Sequence, residues 1–371
     1  MRATGALSRE PGEPLRLEQV DLAECGPDDV LIRMVASGVC HTDITVAAGL
    51  LPFPFPAVLG HEGAGVIKAV GSAVGDLSPG QHAVLLFPSC GQCITCRSGH
   101  PARCERGEMR WTGRAADGSA FARGVDGQEL AVRFLGQSSF GSYALVHRSA
   151  VLTVDDDLPL DVLAPFGCGV MTGAGAIMNV ARPTAGERVL VLGAGAVGLS
   201  AVMAAVQSGV EQIVCLDRDE QRLKLATDLG ATGVIDTRGV DDLPGAIRSA
   251  TGGRGADIAI ECTGAEPILS ATLEALAPAG RCVLIGASGA SATVTVPVTR
   301  MIAGNYAVVG STMGDGSHAF LRTLIDLYRE GCFPVDRMMR TYPFSAVNRA
   351  LEDARSGVTV KPVLTFPEAV N

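Results

Sequence analysis

The sequence predicts an α/β protein in which a mostly β region precedes a doubly wound parallel sheet. Up to about residue 150, short apolar runs such as Val30–Val35, Ala64–Val70 and Val84–Phe87 are separated by glycine and proline, which is typical of strands and turns. From about residue 170, apolar strands alternate with helical patterns, which indicates a parallel sheet covered by helices. The length of 371 residues fits two or three domains.

The second region opens with the uninterrupted apolar strand Arg188–Leu192, a glycine-rich turn and an uncharged helix that ends near Ser208. The strands predicted after it are Gln212–Leu216, Asp257–Glu261 and Arg281–Ile285, and the helices are Asp219–Leu229 and one near Pro267–Leu276. After about residue 312 the regular alternation ends, and the sequence predicts a helix at Ala319–Glu330 and a last strand at Pro362–Phe366.

The composition excludes several classes of protein. With 47% hydrophobic and 19% charged residues the chain can bury real cores, and its net charge of −9 argues against a partner such as nucleic acid or an anionic membrane surface. Two uncharged stretches, 162–181 and 189–210, have the length of a membrane span, but glycines interrupt both, so each is expected to be a buried strand, turn and helix.

The cysteines point to metal or catalysis rather than to disulfides. The N-terminal residues contain no apolar run typical of a secretory signal, so a cytoplasmic protein is expected. Eleven cysteines in such a chain favour metal binding or a reactive thiol, because disulfides are rare in reducing compartments.

The strongest motif is a run of four cysteines between residues 90 and 104. Cys90, Cys93, Cys96 and Cys104 are close enough in sequence to close a tetrahedral thiolate shell around zinc, and Gly91 and Gly99 let the chain turn tightly. Four protein ligands leave no open position for a substrate. This motif therefore predicts a structural zinc site.

A second set of metal-binding side chains is dispersed along the chain. Cys40, His61 and Cys168 each lie in a loop flanked by glycine, and two thiolates with one imidazole leave the fourth position of a zinc ion open for substrate. Asp43 and Glu62 adjoin these residues and suit supporting roles around the ligands. The spacing by itself does not join the three residues into one site.

The third motif is the glycine-rich turn Gly193-Ala-Gly195-Ala-Val197-Gly198 between a predicted strand and a predicted helix. Glycines in this position allow a tight turn and close approach of a pyrophosphate, which the helix N-terminus attracts. Asp217 ends the next strand and can accept hydrogen bonds from the adenosine ribose, which favours NAD over NADP. Arg218 beside it is a residue type that can meet a 2′-phosphate.

These motifs, in this order, resemble those of the zinc-dependent medium-chain alcohol dehydrogenases over essentially all 371 residues. The resemblance implies a GroES-like, mostly β catalytic domain at 1–169 and 312–371, a Rossmann domain at 170–311, and an active site between them. It implies two zinc ions per chain: a catalytic ion on Cys40, His61 and Cys168, and a structural ion on the four clustered cysteines.

The resemblance also implies how the cofactor is held. His41 and Lys361 match positions that touch the pyrophosphate, and Thr172 matches a threonine that packs on the nicotinamide. The residues expected to bind NAD are His41, Thr172, Gly193, Gly195, Val197, Gly198, Asp217, Arg218, Arg222 and Lys361. Thr42 matches the hydroxyl that takes the substrate proton before hydride transfer. Many relatives carry a histidine at the position of Thr45, as the outer end of a proton relay. This chain lacks that histidine, so its relay is expected to end differently.

Five apolar residues match positions that line the substrate pocket of the family: Leu51, Leu86, Met109, Phe140 and Ala287. They suggest a medium or bulky hydrophobic primary alcohol, as in the aryl and allylic alcohol dehydrogenases, and the corresponding aldehyde. An alternative is a thiol-dependent formaldehyde dehydrogenase of the same family. Leu51 stands where that group carries an acidic residue, and Glu108 stands where it carries an anion-binding arginine, which disfavours this alternative. Arg106 and Arg110 are nevertheless near Glu108 in the sequence.

A different class of function is a zinc-free quinone reductase or a binding protein, because some relatives have lost their zinc. All seven thiolate and imidazole ligands are present here, which favours the zinc enzyme. The alternating run at 292–298 is expected to form an edge strand, through which family members join two coenzyme domains. A homodimer or tetramer is therefore expected.

Overall fold

A computed structural model shows two compact units, one formed by Met1–Cys168 with Asp336–Asn371 and the other by Gly169–Val335. The structure describes residues 1–286, 292–293, 295–296 and 298–367. Ala287, one of the expected pocket residues, lies outside the described residues.

Two sheets form the first unit. One has five strands in the order Ala57–Val58, Arg2–Ser8, Arg16–Leu22, Ala122–Gly124 and Glu129–Leu130. The other has seven strands: Val151–Val154, His82–Leu85, Glu62–Val70, Asp29–Gly38, Lys361–Thr365 and Met339–Pro343 in order, with Tyr143–His147 also paired to Asp29–Gly38. All pairs are antiparallel except Lys361–Thr365 with Met339–Pro343.

The three strands predicted in the first region are confirmed, with shifted ends. Alternate residues of Asp29–Gly38, namely Val30, Ile32 and Met34, turn inward and pack in a core with Ile67 and Leu85 of the neighbouring strands. The α-helices of this unit are short except for the last: His41–Ala47, Ile94–Arg97, Glu108–Trp111, Leu160–Leu163 and Val347–Arg355. Its 3-10 helices are Pro101–Arg103, Phe134–Gly136, Arg148–Ala150, Ala164–Gly167 and Phe344–Ala346.

The second unit contains a six-stranded parallel sheet, as the alternating pattern predicts. Its order is Gly233–Asp236, Gln212–Asp217, Arg188–Leu192, Ala256–Glu261, Leu276–Leu284 and Ala307–Gly310. The chain reverses its direction of winding between the two central strands, Arg188–Leu192 and Ala256–Glu261. In sheets of this kind, ligands bind beyond the carboxyl ends of the strands at this point.

Helices follow the strands of this sheet. They are Gly169–Gly175, Ala196–Gln207, Glu220–Asp228, Leu243–Ala250, Glu266–Glu274, Val298–Gly304 and His318–Arg329, with a π-helical segment at Ala176–Ala181 and a 3-10 turn at Met313–Asp315. The 3-10 turn Val335–Met338 begins at the last residue of this unit and continues into the first unit. The apolar strands are buried on both faces: Leu190, Leu192 and Val214 belong to a core that also contains Ile247 and Leu273 of the helices.

One of the two uncharged stretches differs from its prediction. Residues 189–210 form the expected strand, turn and helix, whereas residues 162–181 are helical throughout and contain no strand. Helix Gly169–Gly175 packs closely on helix Ala196–Gln207: a Cβ at Gly173 would lie 1.9 Å from Val197 O, so this approach requires glycine. Among the described residues no single helix is long and apolar enough to cross a membrane. Only the bent helix pair Leu160–Gly167 and Gly169–Ala181 has the combined length and composition of a span.

Residues 312–335 belong to the second unit, whereas the sequence assigns them to the first. The turn Met313–Asp315 packs on helix Gly169–Gly175, and Asn179 Nδ2 donates to Gly314 O at 3.1 Å. Gly314 has a left-handed φ of +62° and lies against the carbonyl groups of that helix. Helix His318–Arg329 follows it onto the same helix, so packing rather than sequence texture sets this boundary.

The predicted edge strand at 292–298 lies partly outside the described residues, which omit Val294 and Pro297. The described residues between 292 and 296 are not in a strand, and Val298 begins a helix. Among the described residues, the edge of the sheet on this side is the strand Ala307–Gly310.

Candidate active site

Three side chains that are far apart in sequence meet in the first unit. Cys40 precedes helix His41–Ala47, His61 precedes strand Glu62–Val70, and Cys168 follows a 3-10 turn. Their two sulfur atoms and one ring nitrogen lie within 4.8 Å of one another. The structure therefore brings together the three residues that the sequence proposes as one metal site.

Strand pairing explains this meeting. Gly38 lies opposite Glu62 in the antiparallel pair, so Cys40, two residues beyond, and His61, one residue before, leave the sheet side by side. Gly38 also pairs with Val363, which brings Lys361 to the same end of the sheet. A Cβ at position 38 would lie 2.0 Å from Glu62 Oε2, so glycine is required there.

Asp43 fixes the orientation of two of these residues. Its Oδ2 accepts a hydrogen bond from Cys40 N at 2.9 Å, and its Oδ1 accepts bonds from Gly60 N and His61 Nδ1, both at 3.0 Å. The Asp43 side chain is fully buried. A carboxylate on one ring nitrogen of histidine leaves the other nitrogen as a neutral lone-pair donor for a metal.

The donor set and its surroundings fit a zinc ion. His61 Nε2 is buried and has no hydrogen-bond partner among the described residues, which is costly unless a cation binds it. The hydrogen bond between the two thiols lowers the pKa of Cys40 well below its ordinary value and raises the pKa of Cys168 well above it. Burial opposes protonation of His61, but Asp43 and Cys40 raise its pKa well above the ordinary value. Two sulfurs and one imidazole are a common set for a zinc ion that keeps one position open.

A buried ion pair adjoins this cluster. Lys361 Nζ donates to Glu62 Oε1 at 3.0 Å, to Glu62 Oε2 at 2.8 Å and to Val39 O at 3.0 Å, and both side chains are at most 3% exposed. Burial raises the pKa of Glu62. Burial opposes the charge of Lys361, but Glu62 outweighs it and raises its pKa. The expected contact of Lys361 with a pyrophosphate stays a prediction, since its ammonium group has these partners here.

The two threonines of helix His41–Ala47 differ in what their hydroxyls contact. Thr42 is half-buried, and its Oγ1 lies 3.7 Å from Cys40 Sγ, beside the metal-binding cluster. Thr45 is 7% exposed and donates its hydroxyl to His41 O at 2.9 Å. The Thr45 hydroxyl is thus committed to the helix backbone. His41, the first residue of this helix, is exposed.

The four clustered cysteines form the second group of potential metal ligands. The sulfur atoms of Cys90, Cys93, Cys96 and Cys104 lie within 4.8 Å of one another. Backbone amides point at them: Cys93 N donates to Cys90 Sγ at 3.3 Å and Cys90 N to Cys104 Sγ at 3.3 Å. The Thr95 hydroxyl lowers the pKa of Cys93 to about 6, whereas burial raises that of Cys96 to about 12. Four sulfurs in this arrangement fit a closed zinc shell.

The glycine-rich turn has the geometry that a dinucleotide needs. Gly193 has a left-handed φ of +96°, and a Cβ at Gly198 would lie 1.8 Å from Gly193 O, so both positions require glycine. A Cβ at Gly195 would meet nothing within 4 Å, so the chain is open to a ligand there. The helix that begins at Ala196 has no side-chain cap, which leaves its first amides free for a phosphate. Val197 is half-buried in its first turn.

Asp217 lies beside this turn. Its Oδ2 accepts a hydrogen bond from Ala194 N at 2.7 Å, and its Oδ1 accepts bonds from Arg218 N and Asp219 N at 2.7 and 3.0 Å. Arg218 is exposed and Arg222 is half-buried in the following helix. Thr172 lies in helix Gly169–Gly175 and is 8% exposed. The structure thus joins Asp217 to the glycine turn, while the expected cofactor contacts of Arg218, Arg222, His41 and Thr172 stay predictions.

The expected pocket residues fall into two groups. Leu86 and Phe140 are at most 1% exposed, and a Cβ at Gly60 would lie 2.5 Å from the Phe140 ring, so this ring packs beside the metal-binding loop. Leu51 and Met109 are half-buried.

One residue that organises the second unit was not recognised from the sequence. Glu261 is 2% exposed at the end of a central strand, and its Oε1 accepts bonds from Thr263 N at 2.7 Å and Gly264 N at 2.9 Å. It holds the loop that faces the glycine turn, since a Cβ at Gly193 would meet the Thr263 side chain at 3.0 Å. The sequence signal that could have identified Glu261 is an acidic residue at the end of an apolar strand, directly before Cys-Thr-Gly.

Comparisons with known proteins match both parts of the chain. Residues 26–156 match the alcohol dehydrogenase GroES-like domain, and residues 196–330 match the zinc-binding dehydrogenase family. Geraniol dehydrogenase of Castellaniella defragrans is 37% identical over 367 residues, which cover 98% of each chain. The crystal structure of benzyl alcohol dehydrogenase from Acinetobacter calcoaceticus has a TM-score of 0.94 at 36% identity and covers 99% of this chain and 100% of its own.

An alcohol dehydrogenase zinc-binding domain protein from Burkholderia ambifaria is similar as well, with a TM-score of 0.95 at 40% identity, over 99% of this chain and 100% of its own. The matches extend over both units, and they include a relative above 30% identity along nearly the whole length. The chain therefore belongs to the zinc-dependent medium-chain alcohol dehydrogenase family and is an oxidoreductase that acts on alcohols.

Proposed function

We propose that this enzyme interconverts an aryl or allylic primary alcohol and its aldehyde, with NAD as the hydride acceptor and donor. The observation that carries the proposal is the cluster of Cys40, His61 and Cys168, in which His61 Nε2 is buried without a partner among the described residues. A zinc ion held there supplies Lewis acidity toward an alcohol or carbonyl oxygen.

The residues of the chain have distinct parts in this reaction. Cys40, His61 and Cys168 would hold the metal, and Asp43 keeps the His61 ring in place through its Nδ1. Thr42, whose hydroxyl lies beside Cys40, takes the proton that leaves the alcohol. The buried pair of Glu62 and Lys361 places a compensated charge behind the ligands.

The substrate class rests on the apolar residues and on the relatives. Leu86 and Phe140 present buried apolar side chains, and Leu51 and Met109 are apolar and half-buried. Two similar proteins are named for geraniol, an allylic alcohol, and for benzyl alcohol, an aryl alcohol. Both substrates are hydrophobic primary alcohols whose aldehydes are conjugated, which favours oxidation.

NAD is supported by Asp217. Ala194 N holds the Asp217 carboxylate beside the glycine turn, where it would accept hydrogen bonds from ribose hydroxyls and would repel a 2′-phosphate. The structural role of the second zinc is supported by the four sulfurs of Cys90, Cys93, Cys96 and Cys104, which leave no open position. None of the eleven cysteines, all of which lie in the described residues, forms a disulfide, which supports a reducing compartment such as the cytoplasm.

The formaldehyde alternative is opposed by two arginines. Arg110 is 8% exposed and donates to the carbonyl groups of Pro88, Pro101 and Ala102, so its guanidinium supports the cysteine loop. Arg106 forms an ion pair with Glu108. Neither is free to bind the carboxylate of a thiol adduct.

A substrate panel with metal analysis tests the proposal. We expect two zinc ions per chain, and kcat/KM with NAD for benzyl, cinnamyl and geranyl alcohols more than about tenfold above ethanol, because affinity rises with buried apolar area. Formaldehyde with glutathione serves as the competing substrate. Equal kcat/KM for ethanol and benzyl alcohol, or a preference for the formaldehyde adduct, would contradict the proposed substrate class.

A further inference from the structure

An acidic residue that the motifs do not include lies next to Asp217. Asp236 ends the strand Gly233–Asp236, and the parallel register places it directly opposite Asp217 at the carboxyl edge of the sheet. Thr237 N donates to Asp217 O at 3.0 Å, which ties the two strand ends together. Two carboxylates thus stand side by side where the adenosine ribose of a dinucleotide is expected.

Asp236 holds the guanidinium group of Arg238. Arg238 Nε lies 3.0 and 3.1 Å from the two carboxylate oxygens, Nη2 lies 2.6 Å from Oδ2, and the backbone N of Arg238 donates to Oδ1 at 3.0 Å. The hydrogen bonds from Arg238 lower the pKa of Asp236 to about 2. The carboxylate occupies the Nε–Nη2 edge of the guanidinium, which is the edge that binds phosphates in a bidentate manner.

Arg238 also interacts with the acidic residues at the start of helix Glu220–Asp228. Asp236 is the main cause of its raised pKa, and Glu220 and Asp219 add smaller electrostatic contributions. The hydrogen bond from the adjacent Thr237 N to Asp217 O keeps Arg238 near the turn after Asp217. The remaining charged residue of that turn, Arg218, is exposed.

We infer that Asp236 is a specificity-determining residue that works with Asp217: it holds Arg238 and so denies this cation to the 2′-phosphate of NADP. The inference rests on the proposed use of NAD. A 2′-phosphate carries close to two negative charges and gains most from a bidentate arginine. In this chain such a phosphate must displace the Asp236 carboxylate from Arg238, and it is also repelled by the charge of Asp217. The ribose hydroxyl of NAD needs no such displacement and meets no such repulsion.

Binding measurements on matched variants test this inference. Kd values for NADH and NADPH are measured by fluorescence titration of the zinc-loaded protein at low ionic strength, for wild type, Asp236→Asn, Asp236→Asn/Arg238→Gln and Glu352→Gln. Glu352 is the control because it forms a similarly exposed ion pair with Arg355 in the other unit. Thermal melting checks that every variant is folded.

We expect Asp236→Asn to shift the Kd ratio about 1.5-fold to fivefold toward NADPH, the range for one exposed ion pair. The double variant and Glu352→Gln should keep the wild-type ratio, and added salt should shrink the shift. An unchanged ratio in folded Asp236→Asn, or a shift that persists without Arg238, would overturn the role of Asp236. A wild type that binds NADPH more tightly than NADH would instead overturn the proposed use of NAD, and the change in ratio would still report on Asp236.

Discussion

His61 Nδ1 lies 3.0 Å from Asp43 Oδ1, and both side chains are almost fully buried. The same carboxylate caps helix His41–Ala47 through Cys40 N, so one residue sets the positions of two metal-binding side chains. Asp43 is thus a positioning residue for the Cys40 backbone and the His61 ring.

Asp43→Ala should weaken zinc at this site about 10–100-fold, which is typical when a partner of a ligating histidine is removed. Competition with a chromogenic chelator measures this directly. Asp43→Asn keeps the shape and one acceptor oxygen, so it should lie between wild type and Asp43→Ala. Equal zinc affinity in all three proteins would show that Asp43 does not orient His61.

The two cysteine clusters should respond differently to loss of a ligand. Cys168→Ser should abolish activity but keep the fold, because it opens only the proposed catalytic shell. Cys96→Ser should lower the melting temperature strongly, because a structural zinc supplies folding free energy to the short loops of residues 90–104. Zinc content and thermal melting of both variants are the measurements. An equal loss of thermal stability in both would contradict the assignment.

Thr42 and Thr45 should differ in their effect on rate. Thr42→Ala should lower kcat about 10²–10⁴-fold, the usual range for a positioned proton-transfer group. Thr45→Val should leave kcat within about threefold of wild type, because the Thr45 hydroxyl already donates to His41 O.

Thr45→His adds a titratable group and should change the pH profile more than the optimal rate. Steady-state kinetics across pH distinguishes these cases. Near wild-type turnover by Thr42→Ala would show that the proton leaves by another route.

Asp217→Gly should weaken NADH and improve NADPH binding, with a change in preference of roughly 10–100-fold. Part of the loss comes from the glycine turn, because Ala194 N loses its acceptor at 2.7 Å. Asp217→Asn keeps an acceptor for this amide and removes only the charge, so it separates the two effects. If Asp217→Asn binds NADPH no better than wild type does, charge repulsion is not the basis of the preference.

The chain should form at least a homodimer through the edge of the parallel sheet. The strand Ala307–Gly310 pairs on one side only among the described residues, and Val298 and Ile302 of the neighbouring helix are 68% and 77% exposed. Ile302→Arg should therefore give the mass of one chain by light scattering at micromolar concentration. Val125→Arg, at a 66% exposed position of the other unit, is the control and should keep the wild-type mass. A wild type with the mass of one chain would contradict the homodimer.

Local features of this protein were predictable from sequence because they depend on neighbouring residues. The strand Arg188–Leu192, the glycine turn and the helix Ala196–Gln207 follow from apolar patterning and from backbone conformations that only glycine allows. The spacing of Cys90, Cys93, Cys96 and Cys104 likewise fits one metal shell without any long-range contact.

Tertiary structure decided what depends on distant pairing. Cys40 and His61 meet because Gly38 lies opposite Glu62, and Lys361 joins them from 299 residues away because Val363 pairs with Gly38. Packing on helix Gly169–Gly175 groups residues 312–335 with the second unit, whereas the family resemblance implies a catalytic domain that includes 312–371. Periodicity reports which face of an element is buried, whereas the residues that meet across this sheet depend on the pairing register of strands that are distant in sequence.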